Sequence, residues 1–360
     1  MEKGNVLVIG NSGVGKSTLI NSVLGDEKAK TGYGTTGTTD RLEIYESEEI
    51  PFRIIDTVGF EPSLIKGRNA INAVKKWSKD SVKEGNEDSK INAIWFCIEG
   101  TSSKLFPKAI KDLSKATAIW KTVPVIVVIT KSYSVPERAQ NIEMVEEAFA
   151  NQKRYSKNLK HIVPVVASTF TLNDTAFAAP EGITELIDAT NALMPEGIKA
   201  GAHDVYKFKL KRKKALAQSI VVASTTAAVT VGAIPVPFAD ALILTPIEVG
   251  TVSVAAKTAI SALKAIPGIN IGASVLNAIM AGAIVAAIGE GSIYVFEKLY
   301  TGEKSVEDID WVKNVMESEL SSQFIENVTV IVEQIVKSGN TKNIGKLISS
   351  LFSASTATKE

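Results

Sequence analysis

Apolar and polar positions come in blocks along the first half of the chain. Val6-Leu7-Val8-Ile9 is an unbroken apolar run, and the stretches 91–98, 123–129 and 162–166 are nearly so. Short runs of this kind, without alternation, fit strands buried on both faces. Arg41-Leu42-Glu43-Ile44-Tyr45 alternates instead, as an edge strand with one wet face does, and Phe52-Arg53-Ile54-Ile55 follows it. Between these lie stretches of helical character at 19–24, 64–82, 104–118, 136–157 and 182–194. Strands separated by helices predict an α/β domain over residues 1–197, a mostly parallel sheet with helices on both faces. Ligands of such sheets lie beyond the carboxyl ends of the strands.

The pattern changes near Pro195-Glu196-Gly197. Lys207, Lys209, Lys211, Arg212, Lys213 and Lys214 crowd into eight positions, and uncharged runs follow at 215–239 and 265–289. At about 1.5 Å per residue each run is long enough to cross a bilayer core. Their alanine, glycine, serine and threonine content makes insertion marginal by hydropathy. Ala278, Gly282 and Ala286 stand at helical spacing, which suits close helix–helix approach in a membrane or in a tightly packed soluble bundle. Ile234-Pro235-Val236-Pro237-Phe238 must interrupt the first helix, because each proline removes an N–H and clashes with the preceding turn. A charged amphipathic helix is expected over 305–337, stopped by Gly339-Asn340, with a short last helix at 344–352. The expected organisation is therefore an all-α domain over 198–352 and a disordered tail at 353–360. Three readings of the helical part stay open: a peripheral or conditionally inserting membrane module, a soluble bundle, and a constitutive two-span anchor. The basic run favours contact with an anionic membrane surface, at about 1 kcal/mol per residue near it. A solvated helix face is the plain alternative.

Composition narrows the picture only a little. Hydrophobic residues make up 45% of 360, ample for two cores, and the formal charge of +1 argues against nucleic-acid binding through bulk basicity. One cysteine, Cys97, excludes an internal disulfide framework, and its apolar surroundings suggest an inert thiol. Two isolated histidines are too few for a zinc site. No secretory signal is expected, since the first strand begins by about Asn5. The expected compartment is the cytosol or the cytosolic face of a membrane.

Chemistry concentrates at strand ends. Gly10-Asn11-Ser12-Gly13-Val14-Gly15-Lys16-Ser17-Thr18 fits G-x-x-x-x-G-K-[ST], after a predicted strand and before a predicted helix. Glycines let successive backbone N–H groups point inward, and the helix N-terminus adds partial positive charge where phosphates sit. Lys16 would pair with the β- and γ-phosphates, and the Ser17 hydroxyl would ligate Mg²⁺. Asp56-Thr57-Val58-Gly59 is a D-x-x-G at the end of a strand. Its carboxylate suits the Mg²⁺ shell and the Gly59 N–H a γ-phosphate.

These motifs resemble those of a translation-factor-class (TRAFAC) P-loop GTPase of the Era-like type, over roughly residues 1–195. The resemblance implies that Thr39 of Gly37-Thr38-Thr39 ligates Mg²⁺ and contacts the γ-phosphate. It implies that Thr130-Lys131 begins the base-recognition motif, and that Ala167 and Ser168 meet the base through their backbone. Segment 227–250 resembles the helical domain behind YcjF-type GTPase modules. Three departures follow. Tyr133 stands where the family places the aspartate that accepts guanine's N–H donors, and a site lacking that acceptor loses base discrimination. Phe60 stands where many relatives place a water-orienting glutamine, which implies slow turnover accelerated by self-association or an activating protein. Gly13 replaces the asparagine of potassium-activated relatives. The expected function is a GTP/GDP switch that hydrolyses GTP slowly with Mg²⁺, with Lys16, Thr39 and Gly59 as catalytic residues. A non-hydrolysing nucleotide-dependent interaction module and a purine-tolerant NTPase stand as alternatives.

Overall fold

The computed structural model describes residues 3–25, 42–45, 52–57, 90–117, 122–173, 176–195, 202–232, 273–305, 308, 310–311, 314–315, 322–339 and 343–357. Their contacts divide into two compact units. One holds Met1–Phe170 and Ala179–Lys213, the other Thr171–Ala178 and Lys214–Glu360.

In the first unit the apolar runs become strands: β1 (Gly4–Gly10), β2 (Leu42–Tyr45), β3 (Phe52–Thr57), β4 (Ile91–Glu99), β5 (Val125–Thr130) and β6 (Leu159–Pro164). They form one sheet in the order β2-β3-β1-β4-β5-β6, parallel except for the β2–β3 pair. The alternating segment is thus the antiparallel edge, and the continuous runs are central. All seven residues of β1 and all six of β5 are buried, as strands covered on both faces must be. Helices α1 (Lys16–Leu24), α2 (Phe106–Ala116), α3 (Arg138–Ala150) and α4 (Ile183–Ala192) complete the mostly parallel α/β fold expected from the sequence. The expected helix at 64–82 lies outside the described residues.

Several boundaries differ for local reasons. The stretch 104–118 begins as a 3-10 segment, and α2 starts at Phe106 because Pro107 fits only a first turn. The stretch 136–157 gives α3 and then a separate 3-10 segment, Lys153–Asn158. Trp95 has no exposed surface, and its indole N–H donates to Thr190 Oγ1 at 2.9 Å, which ties α4 to β4. Phe52 meets the same ring edge-on at 5.6 Å. Trp95→Ala should destabilise the unit by about 3–5 kcal/mol, through the cavity and the lost hydrogen bond to Thr190, whose hydroxyl keeps Leu186 O as a partner. Urea unfolding followed by circular dichroism measures this.

The second unit is mainly helical. Helix α5 (Ala202–Gly232) starts in the first unit and continues past Lys214 into the second, because nothing between 202 and 232 breaks it. The others are α6 (Ala273–Tyr300), α7 (Ser322–Ser338) and α8 (Ile344–Ala357). Their core includes Ile279, Met280, Ala283, Phe324, Ile331 and Phe352. A β-carbon at Gly282 would stand 2.5 Å from Val229, and one at Gly289 2.5 Å from Val221, so α6 approaches α5 at its small residues. Ala278 and Ala286 of the predicted stripe are buried with Gly282. Ser274–Tyr300 is long and apolar enough to span a bilayer, with mean hydropathy 1.8, and half of its most apolar window is buried within the protein. The proline apex at 234–238 lies outside the described residues.

Two features depart from expectation. Helix α8 runs to Ala357, five residues into the stretch expected to be a disordered tail, since Ser353-Ala354-Ser355-Thr356-Ala357 contains no breaker. A hairpin not foreseen in the sequence, β7 (Phe170–Asn173) and β8 (Ala176–Ala178), follows β6. By contrast α7 ends where expected, at Gly339 with φ 63°.

Candidate functional site

Strand β1 is where the sheet order reverses, with β3 on one side and β4 on the other. Its carboxyl end therefore opens the crevice that binds ligands in sheets of this kind. There the chain turns through Asn11-Ser12-Gly13-Val14-Gly15 into α1, whose first residue is Lys16. Gly15, the residue before the helix, stands at φ 96°, and Gly13 at φ 81°, in the left-handed region that L side chains resist. Gly10 pairs with Cys97 across the sheet, and a β-carbon on it would stand 2.5 Å from the Cys97 carbonyl oxygen. The loop can start there only without a side chain.

Val14 is buried, whereas Asn11, Ser12, Gly13, Ser17 and Thr18 are exposed at the strand end. Lys16 Nζ donates to Gly10 O at 2.8 Å and to Asn11 O at 3.0 Å, so the ammonium folds back across its own loop. The geometry is a concave run of backbone at a helix N-terminus with one lysine beside it. Such a site suits oligophosphates.

Asp56 sits two residues after Ile54 on β3, opposite Val8, and is 6% exposed. Burial pushes the Cys97 thiol up to about 12, with the charge of Lys16 lowering it and that of Asp56 raising it. It is an inert core thiol at that value. Ser17 and Asp56 are hard oxygen donors, the type that Mg²⁺ takes when phosphates and waters complete its shell. Of the expected switch segments 31–40 and 57–70, Thr57 ends β3, and the rest, with Thr39, Gly59 and Phe60, lies outside the described residues.

The base-recognition segment leaves the end of β5. The Thr130 hydroxyl is within hydrogen-bond distance of Val14 O and, at 2.9 Å, of Ile98 O, pinning the strand end to the phosphate loop. Lys131 adopts φ 53° and donates through Nζ to Gly13 O at 2.9 Å and to Glu99 Oε1 at 2.8 Å. Ser132 is buried and donates to Ile129 O, while its N–H reaches Val165 O. Val165 N–H donates in turn to Ile129 O, so the segment before Ala167 and Ser168 is stitched to the one after Thr130. Arg138 completes the tie, to Ser132 O at 3.0 Å and to Glu181 at 2.7 Å, with Glu181 bridged to Val166. Tyr133 stacks on Phe170 with centroids 4.1 Å apart and planes at 12°, and burial raises its phenol above the ordinary value. Phe170 is 41% exposed.

Lys16, Gly13, Thr130 and Lys131 are thus brought to one strand edge by hydrogen bonds, and Ala167 and Ser168 follow β6 at the same edge. Glu99 was missed by sequence reasoning. It ends β4 in register with Thr130, and the rule that ligands sit at carboxyl strand ends was the signal that pointed to it. The hydrogen bond from Lys131 holds the Glu99 carboxyl below the ordinary carboxylate value, with burial opposing and Thr101 assisting. A depressed folded value contributes stability above the unfolded value that is lost as pH falls through the folded one. Glu99→Gln should therefore lose less melting temperature than the wild type between about pH 5 and pH 3, as a scan of thermal unfolding against pH would show.

Residues 5–131 match the family model described as 50S ribosome-binding GTPase. GTPase Era of Clostridium botulinum is 27% identical over 211 residues, 57% of this chain and 60% of the relative. GTPase Der of Neisseria meningitidis serogroup B is 45% identical over 74 residues, 20% of this chain and 14% of the relative. Among solved structures, Aquifex aeolicus Era bound to GDP.AlF4- is 22% identical over 62% of this chain and 67% of that one, with a TM-score of 0.36. The chain spans about 60% of the length of the Era relative. With its mostly parallel sheet and reversal-point phosphate loop, the first unit has the P-loop GTPase fold, and over residues 5–131 it is similar in sequence to GTPases of the Era and Der kind.

Proposed function

We propose that the chain is a GTP-binding switch that hydrolyses GTP slowly and passes its nucleotide state to the helical unit. The observation that carries this is the loop Gly10 to Thr18, which leaves the reversal-point strand and enters α1 with Lys16 folded across it. Lys16 would neutralise charge on the β- and γ-phosphates. Ser17, Asp56 and Thr39 would hold Mg²⁺, which supplies charge neutralisation on the phosphates when bound. The Gly59 N–H would sense the γ-phosphate, and segments 31–40 and 57–70 would order with it. Thr130, Lys131, Ala167 and Ser168 would face the base. Phenylalanine at position 60 orients no water, so acceleration is assigned to self-association or an activating protein.

A purine-tolerant NTPase is the second reading, supported by the Tyr133–Phe170 stack, which sets an aromatic pair where a carboxylate would read guanine. Displacement of fluorescent GTP by unlabelled GTP and ATP separates the two. GTP displacing at least about tenfold better supports the switch; equal displacement supports the second reading, and none by either nucleotide removes both.

The likeness to YcjF-type domains rests on 227–250, mostly outside the described residues, and adds a membrane association to the proposal. The basic run is partly used within the protein: Lys209 pairs with Asp188, Lys214 pairs with Glu297 at 2.9 Å, and Arg212 is buried. Contact with an anionic membrane on the cytosolic side is assigned to this basic run, in which Lys207, Lys211 and Lys213 are exposed. At about 1 kcal/mol each it would be weak and lost in high salt, which flotation with anionic vesicles would reveal.

A further inference from the structure

Helix α1 begins on the phosphate loop and ends at Gly25, whose N–H donates to Asn21 O. The far end of that helix is covered by a buried arginine. Arg212, on α5, is 4% exposed, and its guanidinium fills the volume that a β-carbon at Gly25 would occupy. Gly25 stands at φ 63°. Phe208, one turn earlier on α5, lies 5.8 Å from Arg212 Cζ. Among the described residues no carboxylate pairs with Arg212, and its Nε has no hydrogen-bond partner. A cation buried without an anion is costly. What α1 offers in return is the negative end of its dipole and the carbonyls of its last turn. All of these contacts lie within the first unit.

Both partners lead somewhere. Gly25 opens directly onto 26–41, the segment with Thr39, and α5 runs unbroken from Arg212 into the second unit. Lys209, three residues before Arg212, is held to Asp188 on α4, which packs against α1. The stretch of α5 around Arg212 is therefore fastened to the nucleotide-binding elements from two sides. We infer that Arg212 is a positioning residue that couples nucleotide occupancy of the phosphate loop, through α1, to the helical unit that α5 enters. The inference rests on the switch reading above, and Arg212 itself touches no nucleotide in it. A plain structural role would stabilise the fold equally with and without nucleotide; coupling requires that the contact differ between the two states.

Amide hydrogen exchange on the full chain, with and without Mg²⁺ and a slowly hydrolysed GTP analogue, tests this. In the wild type, nucleotide is expected to slow exchange at 10–18 and to change it at 214–232. In Arg212→Met the protection at 10–18 persists, while the change at 214–232 falls by about fivefold or more. Arg212→Lys, which keeps charge without the planar fork, is expected to fall between. If Arg212→Met does not fold, Gly25→Ala serves instead, since it displaces the guanidinium and leaves Arg212 in place; the same loss at 214–232 is expected. A variant that retains the full change at 214–232 overturns the inference. So does a wild type protected at 10–18 but unchanged at 214–232, and both results leave the switch reading intact. A wild type unprotected at 10–18 removes the switch reading and the coupling with it.

Discussion

Lys16→Ala is expected to weaken binding of GTP and of ATP by about 100-fold or more. On the proposed function, two charge-assisted hydrogen bonds to phosphate oxygens, each worth roughly 1.5–3 kcal/mol, would disappear. The ammonium of Lys131, which also reaches the loop, is held by Gly13 O and Glu99. The loop itself should survive. Lys16→Ala gives up the bonds to Gly10 O and Asn11 O, but the packing of Gly10 against Cys97 and the Thr130 contact with Val14 O remain to set the loop's backbone. Titration with fluorescent nucleotide, beside a thermal melt showing an unchanged fold, checks both halves of the expectation. Binding by the variant within about threefold of the wild type, under 1 kcal/mol, would mean that phosphate is held elsewhere.

Tyr133→Asp should change which base is preferred rather than how tightly phosphate is held. Tyr133, fourth residue of the segment that begins at Thr130, donates its N–H to Lys131 O at 2.8 Å, across the left-handed turn that Lys131 takes. A carboxylate there can accept two guanine N–H groups, and adenine offers no such pair. The preference for GTP over ATP is expected to rise by about 100-fold or more, since a site built to hydrogen-bond one ligand strongly rejects the analogue that leaves it unpaired. The variant also breaks the Tyr133–Phe170 stack, worth about 0.5–1.5 kcal/mol, so a small loss of stability should accompany the gain. Competition assays on both proteins decide it. An unchanged preference would show that another group reads the base.

The α/β fold was legible because its strands are unbroken apolar runs, and the single alternating segment marked its own place at the edge. The phosphate loop was legible for a different reason: the whole cradle lies within nine consecutive residues. What stayed hidden joins distant segments. Glu99 and Lys131 meet only because β4 and β5 pair in a register that sets Glu99 beside Thr130. Arg138 and Glu181 meet only after the chain folds back beyond β6. The hairpin of β7 and β8 was missed because its strands are four and three residues long, too short for periodicity to declare them. Arg212 reads in the sequence as one of six basic residues on a charged surface, since a basic side chain is ordinarily exposed and nothing local marks the exception. Its partner is a glycine, whose lack of a side chain leaves room for the guanidinium and no mark in the sequence.

Single-turnover release of phosphate from GTP by the full chain, with Mg²⁺ and no added partner, tests the central claim most directly. The account predicts release that is slow, on the order of 10⁻³ s⁻¹ or below, and abolished in Lys16→Ala. No release from the wild type, at any protein concentration and with anionic vesicles present, would contradict it.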